Sequence, residues 1–98
     1  EADPLIAIEW ARIPHFYYNF YVYQYATGFS AAMALSRRIL TEGESAVKDY
    51  LKFLSSGCSA DPISLLKIAG VDMTTPEPVS QALQQFDELV TEMEMLMA

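Results

Sequence analysis

Helical spacing of apolar residues is the feature that most constrains this fold. In the last quarter of the chain, apolar side chains recur every three or four residues, and Asp87, Glu88, Glu92 and Glu94 fill other positions. Such spacing puts the apolar side chains along one face of an α-helix. The pattern predicts a helix over about residues 76–97, with an apolar stripe of Val79, Ala82, Leu83, Phe86, Leu89, Val90, Met93 and Leu96.

Two further helices are predicted in the middle of the chain. One long helix is expected over about residues 17–40, where several alanines suit close packing. Gly28 within it predicts a close contact with another helix, since an interior glycine costs about 1 kcal/mol relative to alanine. Thr41 and Glu44 have the spacing of a capping box, which would start the next helix, over about residues 44–55.

Prolines mark the remaining helix starts. Asp61 before Pro62 predicts a short helix over about residues 62–69, ended by the glycine that follows. Thr75 before Pro76 repeats this start signal for the last helix. No segment shows sustained strand alternation with hairpin turns. The sequence therefore predicts an all-α fold of four to five helices, the fifth being a short one from Pro4 to Trp10, which Pro14 would end.

Charge excludes several classes of partner. The formal net charge is −7, whereas a nucleic-acid-binding protein needs a basic surface and anionic lipids attract basic segments. No nucleic acid and no membrane are therefore expected as partners. The single cysteine, Cys58, excludes an intrachain disulfide and fits a reducing compartment, so a cytoplasmic location is predicted.

Two features suggest a piece of a larger protein. The chain starts at Glu1 rather than at methionine, so we expect the natural chain to begin further upstream. Hydrophobic residues make up 52% of a chain of only 98 residues. A domain of this size leaves much of its surface exposed, so the excess of apolar residues predicts a face that contacts another domain or chain.

The candidate chemistry lies between residues 13 and 31. This stretch holds the only histidine, His15, and five of the six tyrosines. Tyr18, Tyr21 and Tyr25 are spaced i, i+3 and i+7, so in a helix they would share one face, with His15 just before it. Several donors converging on one point can stabilise charge that develops on a substrate oxygen. The alternative is an aromatic core stripe, although each buried hydroxyl would then need a partner.

No other catalytic set is complete in this sequence. One histidine and one cysteine, the latter in a Gly/Ser loop, give little support for a nucleophilic triad. A catalytic zinc usually has three protein ligands, often including two histidines, and no Gly-rich phosphate loop is present.

The tyrosine-rich stretch resembles a known family. The run from Trp10 to Gly28, WARIPHFYYNFYVYQYATG, is similar to the C-terminal signature of oligoendopeptidase F-type zinc metallopeptidases, relatives of thimet oligopeptidase. The resemblance continues through residues 66–78, LKIAGVDMTTPEP, into the last helix. It covers essentially the whole chain. It implies a large, almost entirely helical enzyme that cleaves short peptides in a deep channel.

The resemblance also implies where the metal lies. In this family the zinc is held by a His-Glu-x-x-His helix and a further glutamate, upstream of the segment seen here. Zinc polarises the scissile carbonyl and activates water, with the glutamate of that motif as general base. Zinc is thus expected in the intact enzyme, and no cofactor is expected in this segment alone.

Residue roles follow from the resemblance. It implies that His15 binds the substrate carbonyl or the oxyanion, that Tyr25 donates to the oxyanion and that Tyr18 positions the substrate, because two functional tyrosines of thimet-like relatives are one heptad apart. Tyr21 and Tyr17 are the candidate substrate-binding residues. Those relatives have a Gly-rich loop between the histidine and the first tyrosine, where only two residues intervene here, so Tyr21 is a rival for the donor role.

The sequence therefore predicts a C-terminal fragment of a zinc metalloendopeptidase, inactive alone. Its expected partners are short peptide substrates in the intact enzyme and the remainder of the peptidase, which in a nicked enzyme would be a separate chain. The aromatic face of the isolated segment is also a candidate surface for self-association. The alternative is a stand-alone helical module whose aromatic face docks a partner protein.

Overall fold

Helices account for the regular structure of this chain. The computed structural model describes residues 3–98, and no β-strand occurs within that range. This confirms the all-α prediction: the four main helices appear as α-helices, and the predicted short fifth helix at the start is a 3-10 helix followed by a second one. Two 3-10 helices come first, at Pro4–Arg12 and Pro14–Tyr17. Four α-helices follow in chain order: α1 at Tyr23–Glu42, α2 at Glu44–Ser55, α3 at Pro62–Ile68 and α4 at Glu77–Met97.

The boundaries of α3 follow from its sequence. The Asp61 carboxylate accepts a hydrogen bond of 3.0 Å from the Ser64 amide. This contact satisfies an otherwise unpaired donor of the first turn, and hydrogen bonding to Ser64 holds the pKa of Asp61 below its ordinary value. Gly70 follows the helix with φ of +79°. Only glycine adopts that conformation without steric cost, so the helix ends there as predicted.

The start of α1 differs from the prediction. The long helix was expected from about Tyr17 but begins at Tyr23. Tyr18 has an extended backbone, and Phe20 has φ of +59°. A left-handed residue cannot continue a right-handed helix, so the predicted start was wrong.

The predicted capping box is absent. Thr41 lies inside α1, where its hydroxyl donates to the Arg37 carbonyl at 2.9 Å. Gly43, with φ of +70°, forms the junction between α1 and α2. The long helix therefore runs through the predicted cap because the glycine two residues later supplies the break.

Two smaller predictions were also wrong. A Cβ atom built on Gly28 would have no neighbour within 4 Å, so this glycine makes no close helix contact in the described chain. Thr75 does not cap α4, because its hydroxyl donates to the Asp72 carbonyl at 3.0 Å. That bond is formed within the turn that precedes α4.

The core lies where α1, α2 and α3 meet. Helix α1 contacts both α2 and α4, and α2 contacts α3. Arg38 joins these elements through its guanidinium, which donates to Asp49 at 2.9 Å, to Glu42 at 3.0 Å and to the Ala69 carbonyl at 2.6 Å. The buried cluster is small: Ala34, Leu35, Ala69 and Val71, with Tyr50, Phe53, Leu66 and Met73 packed against it.

Much of the apolar surface stays exposed. Phe86, in the predicted stripe of α4, is 67% exposed, and Leu83 and Leu96 are exposed as well. The radius of gyration is 17.6 Å. A compact domain of 100 residues would have about 13 Å. Within residues 3–98, no helix is both long and apolar enough to span a bilayer.

Candidate functional site

Two short 3-10 helices position His15. Ile13 has an extended backbone between them, and Pro14 starts the second. The Tyr17 hydroxyl donates to the Ala11 carbonyl at 2.5 Å, which ties the second helix back to the first. The fixed φ of proline and this cross-link limit the freedom of the backbone at His15.

Four of the predicted residues form one connected group, the His–Tyr cluster (His15, Tyr18, Tyr21 and Tyr25). The ring centroids of His15 and Tyr21 are 5.1 Å apart. Tyr21 also contacts Tyr18, at 6.1 Å, and Tyr25, at 5.8 Å. These separations are typical of aromatic pairs in contact. Tyr21, which the sequence placed as a rival donor, is therefore the centre of the cluster.

A hydrogen bond links two phenols of the cluster. The Tyr25 hydroxyl donates to the Tyr21 hydroxyl at 3.5 Å. This bond and the charge that Tyr21 would carry both disfavour the phenolate, so the pKa of Tyr25 is raised above its ordinary value of about 10. Any phenol near its ordinary pKa is protonated at neutral pH, so Tyr25 carries a proton that it can donate.

The cluster is open to solvent. Tyr25 is 61% exposed and Tyr21 is 37% exposed. His15 and Tyr18 are exposed as well. In this chain the stripe is therefore not core, which was the alternative that the spacing left open. Exposed hydroxyls beside an exposed imidazole can reach a ligand placed over the cluster.

Tyr17 is placed differently. Its hydroxyl is engaged with the Ala11 carbonyl, and none of the ring contacts of the cluster includes it. Its proposed contact with substrate stays a prediction, and its observed contact is between the two 3-10 helices.

Phe20 is a residue that sequence reasoning did not identify. It lies on the turn between Tyr18 and Tyr21, with a left-handed backbone that costs a non-glycine residue about 1–2 kcal/mol. Its side chain is 77% exposed. Bulky aromatic residues have no preference for this conformation, so the sequence carried no signal for the turn.

A metal ion does not fit the described residues. Among residues 3–98, no three or more His, Cys, Asp or Glu side chains are arranged to hold one. The ring of His15 contacts that of Tyr21, and a phenol is not a usual zinc ligand.

A cavity of the described chain lies away from the His–Tyr cluster. Its volume is about 320 Å³, and it lies between α1 and the turn before α4, where Arg38 and Asp72 contribute to its wall. Arg38 already makes three hydrogen bonds there. The aromatic rings of the His–Tyr cluster do not line it. The cluster is accordingly an open surface, which needs a second wall to enclose a ligand.

Known proteins similar to this chain are bacterial peptidases. Oligopeptidase PepF of Bacillus subtilis is 60% identical over 95 residues, which are 97% of this chain and 14% of that protein. Group B oligopeptidase PepB of Streptococcus agalactiae is 46% identical over 98 residues, all of this chain and 16% of that protein. This chain thus spans about one-sixth of the length of these relatives.

A solved structure has the same fold. The crystal structure of oligoendopeptidase-F from Enterococcus faecium matches all of this chain with a TM-score of 0.77 and 47% identity, over 19% of its own length. The model of Peptidase family M3 matches residues 3–85. These matches confirm the resemblance seen in the tyrosine-rich stretch. The chain belongs to peptidase family M3.

Proposed function

We propose that this chain forms one wall of the peptide-binding cleft of a metalloendopeptidase of the oligoendopeptidase F type. The observation that carries the proposal is the His–Tyr cluster, in which an imidazole and three phenols contact one another and face solvent. Relatives at 60% and 46% identity are named oligopeptidases. Short peptides are accordingly the proposed substrates.

The chemistry of the cluster suits the cleavage of a peptide bond. Attack on the scissile carbonyl moves negative charge onto its oxygen, and preorganised donors lower the energy of that state. Tyr25 donates to the oxyanion, since a phenol keeps its proton at neutral pH. His15 donates to the substrate carbonyl or the same oxyanion, and Tyr18 positions the peptide backbone. Before substrate binds, the Tyr25 hydroxyl donates to the Tyr21 hydroxyl, and the substrate oxygen then takes the place of Tyr21 as acceptor.

The remainder of the reaction belongs to other parts of the enzyme. In the intact peptidase, a zinc ion held outside this chain would polarise the carbonyl and activate water. Its ligands would come from the rest of the protein, which is the second wall of the cleft and the structural partner of this chain. The isolated chain is expected to be inactive, and zinc-dependent peptide cleavage by the purified 98 residues would overturn this part of the proposal. A cytoplasmic location stays a prediction.

Tyr25→Phe in the intact peptidase tests the donor role. We expect kcat to fall roughly 10²–10³-fold with little change in KM, because the lost hydrogen bond forms in the transition state. Tyr23→Phe is the matched control. Tyr23 is an exposed tyrosine of the same helix, two residues away and on a different face, so its variant should keep its kcat. An unchanged kcat for Tyr25→Phe would refute the assignment.

His15→Ala separates binding of substrate from binding of metal. We expect a lower turnover while the zinc content, measured by atomic emission on the dialysed enzyme, stays at the wild-type level. Loss of zinc would show that His15 is a ligand. If Tyr21→Phe lowers kcat roughly 10²–10³-fold and Tyr25→Phe does not, Tyr21 is the oxyanion donor instead.

A second candidate is supported by the exposed α4 stripe. A stand-alone interaction module would use this stripe or the aromatic face to bind a protein partner. The sequence encoded upstream of Glu1 decides between the two: a His-Glu-x-x-His motif in the same reading frame supports the peptidase.

A further inference from the structure

The turn at Phe20 creates a contact that a helix could not make. His15 and Tyr21 are six residues apart, and their rings are 5.1 Å apart. In a continuous helix, side chains six residues apart point about 120° away from each other. The extended backbone of Tyr18 and the left-handed Phe20 reverse the chain between the two rings.

The next hydrogen bonds show how the turn leads into α1. The Tyr21 amide donates to the Tyr18 carbonyl at 3.2 Å, and the Gln24 amide donates to the Tyr21 carbonyl at 3.2 Å. Tyr21 is therefore held by backbone bonds on both sides of the turn. Its ring can contact Tyr25 on the helix side and His15 and Tyr18 on the other side.

The ring of Phe20 contributes little to this arrangement. It is 77% exposed, so packing within the described chain does not explain why the residue adopts a left-handed backbone. Residues in such conformations are concentrated at functional sites, where the surrounding structure holds them.

We propose that Phe20 is a positioning residue whose left-handed backbone, rather than its ring, sets Tyr21 against His15 and thereby orders the His–Tyr cluster. This inference rests on the proposed function of the cluster in peptide cleavage. Phe20 acts through Tyr21 and does not itself touch the reacting atoms.

The test is a substitution series in the intact peptidase. Asparagine and glycine adopt the left-handed conformation readily, alanine less so and the β-branched valine least. We expect Phe20→Asn and Phe20→Gly to keep kcat within about threefold of wild type. In Phe20→Val we expect kcat to fall about 10- to 100-fold, because catalytic groups that are misplaced by a small distance lose this much rate. The kcat of Phe20→Ala should lie between those of the Asn and Val variants. Equal losses of kcat in Phe20→Asn and Phe20→Val would overturn the proposal.

Phe29 provides a matched control. It is an exposed phenylalanine of α1 with an ordinary helical backbone. Asparagine and valine have similar helix propensities, so Phe29→Asn and Phe29→Val should have similar kcat values. An advantage of asparagine over valine at both positions would refute a special role for the Phe20 turn.

Crystal structures of the variants give a readout independent of activity. The distance between the His15 and Tyr21 ring centroids should stay near 5.1 Å in Phe20→Asn and increase in Phe20→Val. If the valine variant does not fold, Phe20→Ala takes its place in this comparison. An unchanged distance in the variant examined would overturn the inference.

The same experiments separate this inference from the proposed function. If Tyr25→Phe and His15→Ala leave kcat unchanged, the proposed function fails, whereas the centroid distances still decide the structural role of Phe20. If those two variants lose activity but the Phe20 series shows no dependence on left-handed propensity, the Phe20 inference alone fails.

Discussion

At the scale of single residues, Tyr21 has the most consequential position. It contacts His15, Tyr18 and Tyr25, and its hydroxyl accepts a hydrogen bond from the Tyr25 hydroxyl. Its hydrogen bond and its charge are the two largest causes of the raised pKa of Tyr25. Tyr21 therefore extends to higher pH the range in which Tyr25 can act as a donor.

Tyr21→Phe should change the alkaline limit of activity. Tyr25 donates only while protonated, so its contribution is present below its pKa and lost above it. Removing the Tyr21 hydroxyl lowers the pKa of Tyr25 toward the ordinary value of about 10. In a plot of kcat against pH for the intact peptidase, we expect the decline at alkaline pH to begin at a lower pH in this variant.

A double variant provides the control for this shift. When Tyr25 is already phenylalanine, adding Tyr21→Phe should leave the alkaline limb where it is, because the titrating donor is gone. A shift that persists in the double variant would assign the limb to another group.

At the scale of elements, glycines with positive φ separate the helices. Gly43, Gly57 and Gly70 all have positive φ, and all three lie between helices or next to a helix end. Gly70 differs from the others because a Cβ there would overlap the guanidinium of Arg38. That guanidinium is held by Asp49, Glu42 and the Ala69 carbonyl, so it is not free to move aside.

Gly70→Ala should destabilise the protein more than Gly57→Ala. Both substitutions force a left-handed alanine, at about 1–2 kcal/mol. Only the first also displaces Arg38, which we expect to add about 1 kcal/mol or more by breaking part of its network. The measurement is urea unfolding of the intact peptidase, followed by circular dichroism.

Gly57→Ala is the matched control because a Cβ there would meet nothing within 4 Å. Equal losses of stability for the two alanine variants would contradict the role assigned to Arg38.

At the scale of the whole molecule, residues 3–98 lack the core of an independent domain. Its buried hydrophobic residues are mostly alanines, and its radius of gyration of 17.6 Å exceeds the value of about 13 Å for a compact chain of this size. Large apolar side chains of α4 and of both 3-10 helices are exposed. This surface fits a chain that belongs against the rest of a larger protein.

The isolated chain should therefore behave as a loosely packed or associating species. We expect it to bind the dye ANS and to unfold over a broad temperature range, with an apparent size that grows with concentration. Phe86→Glu, on the exposed stripe, should reduce dye binding and association. A monomer with a sharp, cooperative transition and no dye binding would contradict this expectation.

The sequence by itself determined the helical class, the start and end of α3, the candidate residues and the family. Helical spacing and Asp-Pro and glycine signals act over a few residues, so they can be read locally. Only the tertiary structure decided that α1 starts at Tyr23, that Tyr21 is central and that Tyr17 is apart. The start of α1 follows from the left-handed backbone of Phe20, a conformation that its side chain does not favour and no local pattern encodes. The places of Tyr21 and Tyr17 follow from contacts with residues four to six positions away along a non-helical backbone, which helical spacing does not describe.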